Sequence, residues 1–263
     1  MLRRTPILHV ADDVGSGPPV VLVHGIASSS VTFVNLVPLL KDRHRVVSVD
    51  ILGFGGSPVP ADAEYTIEEH VASLHATLKR LRLREPFVLV GHSLGSLIAS
   101  RYAAMHGRDV RRLVLVGPPI YVSPPEIGDR RVRARVSAYL KLYEFLRNNK
   151  QFTIRNAAML AKLMPIEGLL EVSERNWVPF VKSLEHCIEQ QTVVGDIASL
   201  RLPVDVVYGS LDAFIAPGAL TVIERMEHVT MHRVGINDHL IRPRLARVLA
   251  AVIGSRATRG EPG

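Results

Sequence analysis

The sequence predicts an α/β protein: a doubly wound, mostly parallel sheet with helices on both faces, and a helical block inserted before its last two strands. Three observations carry this. Val20-Val21-Leu22-Val23, Phe87-Val88-Leu89-Val90 and Leu113-Val114-Leu115-Val116 are unbroken apolar runs, as strands buried on both faces are. Segments of helical spacing alternate with them. The alternation breaks at Gly117-Pro118-Pro119 and resumes only at Val204.

Taken in order, residues 7–11 read as a short strand and Gly15-Ser16-Gly17-Pro18-Pro19 as a turn. Val20–Val23 is a buried strand ending in the loop His24-Gly25-Ile26-Ala27, which feeds a helix near 31–40. Strand 45–50 ends at Asp50 and the glycine-rich loop Gly53–Pro58. Thr66 and Glu69 form a capping-box signature for a helix to about Leu81. Phe87–Val90 is followed by Gly91-His92-Ser93-Leu94-Gly95, and Leu94, Leu97, Ile98 and Tyr102 continue at helical spacing. After strand 112–116 come helical stretches near 129–147, 151–163, 166–172 and 176–190. Strand 204–208, helix 217–226, strand 229–234 and helix 240–253 close the chain. The expected core is therefore residues 1–117 and 201–263, with a helical cap over 118–200.

At 263 residues and 47% hydrophobic composition the chain can bury one large domain. Cys187 is its one cysteine, which excludes an internal disulfide and a cysteine metal cluster and fits a small buried side chain in a reducing compartment. No apolar stretch long enough to span a membrane occurs, and Met1-Leu2-Arg3-Arg4 is followed too soon by Asp12 and Asp13 for a signal peptide. A cytoplasmic protein is expected. The net charge of +7 comes largely from scattered arginine, without a zinc finger or an RNA-binding aromatic motif, so no nucleic-acid partner is expected. Residues 130–150 concentrate seven Lys or Arg against Glu144 alone. A solvated helix face explains them; attraction of an anionic substrate such as a CoA ester, or peripheral contact with an acidic membrane surface, are the sharper readings.

Strand, G-x-S-x-G and helix form a nucleophile elbow, which leaves the Ser93 hydroxyl at the apex of a tight turn. A serine attacks only if a base removes its proton, and the base needs an acid to hold its tautomer. His239, just beyond the last strand, is the candidate base. Asp212, in Tyr208-Gly209-Ser210-Leu211-Asp212, is the candidate acid. Each follows a strand directly, so all three can meet at one sheet edge. Glu126 is the alternative acid.

These stretches together resemble the α/β-hydrolase superfamily, in its cap-bearing branch: His24-Gly25, Asp50-Ile51-Leu52-Gly53-Phe54-Gly55-Gly56-Ser57, the elbow, Tyr208–Asp212 and Asp238-His239. The resemblance implies Ser93 as nucleophile, Asp212 as acid, His239 as base, and the backbone N–H groups of Ile26 and Leu94 as oxyanion hole. No metal and no organic cofactor are expected. Ser96 departs from the glycine of many relatives. Leu240 stands where C–C hydrolases usually carry tryptophan, and Ser93 argues against dehalogenases and epoxide hydrolases that attack with aspartate.

The expected activity is hydrolysis of an ester, thioester or related acyl bond of a small-molecule substrate through an acyl-enzyme on Ser93. Acyl transfer, C–C bond hydrolysis and cofactor-free perhydrolysis use the same three side chains, and a non-catalytic binding protein is the reading of another kind. His24 and Asp50 read as organisers of their loops and His92 as a packed or hydrogen-bonded spacer. His70, His75, His186 and His232 show no metal-ligand spacing. Trp177, Phe180, Phe145, Phe152, Met159 and Met164 are candidates either for an acyl pocket or for packing within the cap. The sequence leaves the oligomeric state open.

Overall fold

The computed structural model describes residues 4–120, 130–162, 164, 169–215 and 220–255. Seven strands, β1 (Val10–Val14), β2 (Pro19–Val23), β3 (Arg45–Val49), β4 (Phe87–His92), β5 (Val110–Val116), β6 (Val204–Gly209) and β7 (Val229–Val234), form one sheet in the order β1-β3-β2-β4-β5-β6-β7. Only β1 runs antiparallel, at the edge beside β3. Its polar Asp12 and Asp13 suit an edge, where charge opposes pairing with another chain.

Nine α-helices are described: α1 (Val37–Leu40), α2 (Ile67–Leu81), α3 (Leu94–Met105), α4 (Arg130–Asn148), α5 (Lys150–Ala161), α6 (Trp177–Ser183), α7 (Val193–Ser199), α8 (Thr221–Glu224) and α9 (Pro243–Gly254). The period-2 alternation of the strands divides the core in two. Val21, Val23, Leu89 and Leu113 pack with Leu74, Leu97, Ile98 and Ile197 of α2, α3 and α7. Val20, Leu22, Val88 and Val90 pack with Leu40 of α1 and Leu245 and Leu249 of α9. This two-faced burial is the doubly wound arrangement. Among the described residues no helix is long and apolar enough to cross a membrane.

Several elements differ in extent from the sequence expectation, each for a local reason. The first strand begins at Val10, not residue 7, because the Leu8 and His9 N–H groups go to the hydroxyls of Thr77 and Ser57. The 31–40 stretch is a 3₁₀ turn at Ser30–Phe33 followed by α1. Pro38 has no N–H to bond the Val34 carbonyl, so a continuous helix cannot form there. Residues 169–172 are not helical: the Glu171 N–H leaves any helix to donate to the Ala27 carbonyl at 2.7 Å. Stretch 176–190 is α6 continued by a π-helical turn, Leu184–Glu189. The sequence reading placed no element over 193–199, where α7 packs on α3 in the core layer. The closing helix starts at Pro243, whose missing N–H suits a first turn, and this leaves 239–242 as loop.

Parallel register aligns the carboxyl ends of β2, β4, β5, β6 and β7: Val23 pairs Gly91, His92 pairs Val116, Val116 pairs Val207, and Gly209 pairs Val234. The loops after these strands therefore open on one edge.

Candidate active site

Ser93 sits between β4 and α3 with φ +52° and ψ −122°, a conformation side chains rarely adopt. Strain of this kind costs about 1–3 kcal/mol and must be held by its surroundings. The flanks show how. A Cβ on Gly91 would lie 2.2 Å from the Gly95 carbonyl oxygen, and one on Gly95 would lie 2.2 Å from that of Val23. Only glycine lets the three backbones approach so closely. The Ser93 N–H donates to Val116 O at 2.9 Å, and the Ser96 hydroxyl donates to Gly91 O at 2.7 Å. Ser96, the departure noted above, thus ties α3 back to β4. The sequence signal was available: a hydroxyl in a buried helix must find an acceptor.

The structure brings Asp212 and His239 together. His239 Nδ1 lies 2.8 Å from Asp212 Oδ2, and the other carboxylate oxygen accepts the Phe214 N–H at 2.9 Å. The Asp212 side chain is 1% exposed and that of His239 15%, so their hydrogen bond is shielded from water. An anion at Nδ1 fixes the proton there and leaves Nε2 as the basic nitrogen. The imidazole is flanked by the rings of His92 at 4.7 Å and Phe214 at 4.6 Å, between centroids. His92 Nε2–H also donates to the His239 carbonyl at 2.9 Å. Burial, then repulsion from His239, pulls His92 down to about 3, so it stays neutral beside the base. Gly117, with φ +53°, passes so close that a Cβ would lie 2.9 Å from Asp212 Oδ2 and 3.1 Å from His239 Nδ1. Glu126, the alternative acid, lies outside the described residues.

The loop after β2 approaches the elbow directly, since a Gly25 Cβ would sit 2.8 Å from that of Ser93. His24 organises it: its Nδ1–H donates to Gly25 O at 2.7 Å and its Nε2 accepts the Ile51 N–H at 3.0 Å. Burial lowers its pKa, which keeps the ring in this neutral donor–acceptor form. Asp50 is the hub beneath. Its carboxylate accepts from Ser30 N and Oγ, Gly56 N and His9 Nδ1, and its carbonyl from Ser57 Oγ. Burial alone would raise its pKa; the hydrogen bonds from Gly56, Ser30 and His9 oppose that, and it lies below the ordinary value. Ile26 lines the cavity above Ser93. Leu94 opens α3, where an N–H has no intrahelical acceptor.

A cavity of about 390 Å³ opens from Ser93 and His239 between the sheet edge and the residue 118–200 segment. Leu146 of α4, Ala157 and Leu160 of α5, Phe180 of α6, and Leu184 and Ile188 line it, and its described walls carry no Lys, Arg, Asp or Glu. Of the aromatic and methionine candidates, Phe180 and Met164 reach this cavity. Trp177 packs against Phe180, and Phe145, Phe152 and Met159 face outward.

Among the described residues, His75, His106 and Asp109 alone bring three metal-type ligand atoms close together, within 4.8 Å of one another. The two imidazoles stack at 3.8 Å and 10°, so their in-plane lone pairs run side by side instead of converging on one ion.

A serine on a strand–helix elbow, a carboxylate–imidazole pair on the loops after the last two strands, and a glycine loop beside the serine define an α/β-hydrolase. The chain belongs to the alpha/beta hydrolase fold family, whose model matches residues 18–153. It is 39% identical over 121 residues to a probable lysophospholipase, BODYGUARD 3, of Arabidopsis thaliana; the match covers 44% of this chain and 24% of that protein. It is 37% identical over 119 residues to a cis-3-alkyl-4-alkyloxetan-2-one decarboxylase of Shewanella oneidensis, covering 44% of this chain and 37% of that one. The matches thus span about a quarter to two fifths of these relatives. In fold it is similar to a haloalkane dehalogenase loop variant of Bradyrhizobium elkanii, with a TM-score of 0.70, 19% identity, and 94% and 95% of the two chains covered.

Proposed function

We propose that the protein is a serine hydrolase that cleaves an ester, thioester or related acyl bond of a small molecule. The observation that carries this is the 2.8 Å Asp212–His239 contact at the edge where the strained Ser93 is exposed to an apolar cavity. Ser93 Oγ attacks the acyl carbonyl while His239 Nε2 takes its proton. The oxyanion that forms is held by the Ile26 and Leu94 N–H groups, each such donor contributing about 3 kcal/mol. The proton passes from His239 to the leaving oxygen or sulfur, and the acyl-enzyme remains. Water, deprotonated by His239, then attacks the acyl carbon and releases the acid and Ser93.

The cavity walls favour an uncharged, largely aliphatic acyl group, because an ionised carboxylate among them would lose its water without gaining a cation. Residues 118–200 act as the cap, with α4, α5 and α6 over the cavity and α7 anchored on the core. The cap supplies binding energy to the acyl chain, about 0.8 kcal/mol per buried CH₂. The test is turnover of p-nitrophenyl esters of rising chain length. Activity should rise with length and fall by about 10⁶ in Ser93→Ala. A Ser93→Ala protein that hydrolyses as fast as the parent contradicts the proposal.

A further inference from the structure

Helices α4 and α5 wall the cavity with one face and turn apolar side chains to solvent with the other. Leu142 and Phe145 of α4 and Phe152, Met159 and Leu160 of α5 are each 45–57% exposed. Phe145 and Phe152 meet edge to face at 5.3 Å, so the two helices share one surface patch. Single exposed apolar residues are ordinary, but a contiguous group of large ones on one hairpin marks a binding surface.

Cations outnumber acids among the charges beside this patch. Lys141, Arg155 and Lys162 are exposed and have no ion-pair partner among the described residues. Arg147 and Lys150, by contrast, are bound to Glu185 and Glu189 and to Glu174. Glu144 is the one acid in α4 and α5. Along α5 and its C-cap, Phe152, Arg155, Met159 and Lys162 follow at intervals of three or four and so fall on one face. Apolar side chains interleaved with cations are what a helix lying in the plane of an anionic lipid surface carries. A second copy of the chain fits less well, because a symmetric contact would set these cations against themselves.

The patch also meets the cavity. Leu160 is 45% exposed and lines the chamber that opens on Ser93. We propose that the α4–α5 face docks on an anionic lipid surface and admits the acyl substrate from it. The docking stands by itself; the delivery of substrate rests on the hydrolase reading above.

The test is co-sedimentation of the full chain with vesicles of phosphatidylcholine alone or with about a third phosphatidylglycerol. The parent protein and Ser93→Ala should both partition onto the anionic vesicles. The combined Lys141→Glu, Arg155→Glu and Lys162→Glu variant should partition about 100-fold less. Phe145→Ser with Phe152→Ser should lose binding even to the vesicles it meets at low salt. Both variants should keep the parent's turnover of a soluble short-chain ester, which reports a folded protein. Equal sedimentation with and without anionic lipid, or unchanged binding by the charge-reversed variant, overturns the proposal. So does a concentration-dependent dimer that the Phe145→Ser, Phe152→Ser change abolishes, since the face would then belong to a second copy. Turnover surviving in Ser93→Ala while vesicle binding persists would instead defeat the hydrolase reading alone.

Discussion

At the ends of β4 and β5, a Cβ on Gly91, Gly95 or Gly117 would come within 2.2–2.9 Å of another residue's atoms. In the α4–α5 hairpin the corresponding scale is open solvent: Phe145, Phe152 and Met159 stand about half exposed, and the helices meet the rest of the protein through side chains such as Val136, Tyr143 and Ala157 and through the ion pairs of Arg147 and Lys150. The first region is fixed by backbone sterics, which admit one residue type at each position. The second is fixed by which face of a helix turns inward, and many sequences satisfy that. Chemistry that needs atoms held to a fraction of an ångström belongs in the first, and recognition of a variable apolar chain belongs in the second.

The largest expected effect breaks the comparison at its catalytic end. Asp212→Asn should lower kcat about 10⁴-fold with the fold retained, because an amide no longer holds the Nδ1 proton on His239. Steady-state kinetics with circular dichroism checks it, and near-parental turnover would mean that another acid, Glu126 first, does the work.

A smaller effect compares glycines directly. Gly95→Ala must displace the Val23 and His24 carbonyls and should cost about 3 kcal/mol or more. Gly195→Ala, in α7, meets nothing within 4 Å and should stabilise by up to about 1 kcal/mol, since alanine is the better helix former. Urea unfolding of the two variants reads the difference. Equal effects would deny that elbow sterics distinguish the regions.

The buried histidines give a pH signature of similar or smaller size. Burial pulls both His70 and His92 down to about 3, with nearby histidines adding to the effect. Unfolded, each takes a proton below about pH 6.5. Unfolding therefore absorbs protons between these values, and stability is lost as pH falls below 6.5. At pH 5.5 the loss should be roughly 3 kcal/mol relative to pH 7.5, measured by urea unfolding. His70→Gln with His92→Gln should flatten that dependence.

What was legible in the sequence follows the same division. The elbow, the strand ends and the positions of Asp212 and His239 could be read, because Gly91, Gly95 and the strand-then-loop pattern have few structural solutions. Thr66 was legible as a cap, although Glu69 bonds the N–H groups of Glu64 and Tyr65 instead of completing the usual box. The break in helix 31–40 was recoverable from Pro38. Helix α7 was not, because Val193-Val194-Gly195 gives no helical signal; it packs on α3. Nor was the sorting of Phe145, Phe152 and Met159 from Phe180 and Met164: apolar residues on short helices do not announce which side the cavity lies on.

The most direct test of the account is the site of covalent labelling by a small fluorophosphonate. One phosphonyl group should add per chain, and peptide mass spectrometry should find it on the elbow peptide at Ser93. Ser93→Ala should take no label, and Asp212→Asn should take it more slowly. Stoichiometric label on any other serine, or label that persists in Ser93→Ala, would contradict the account.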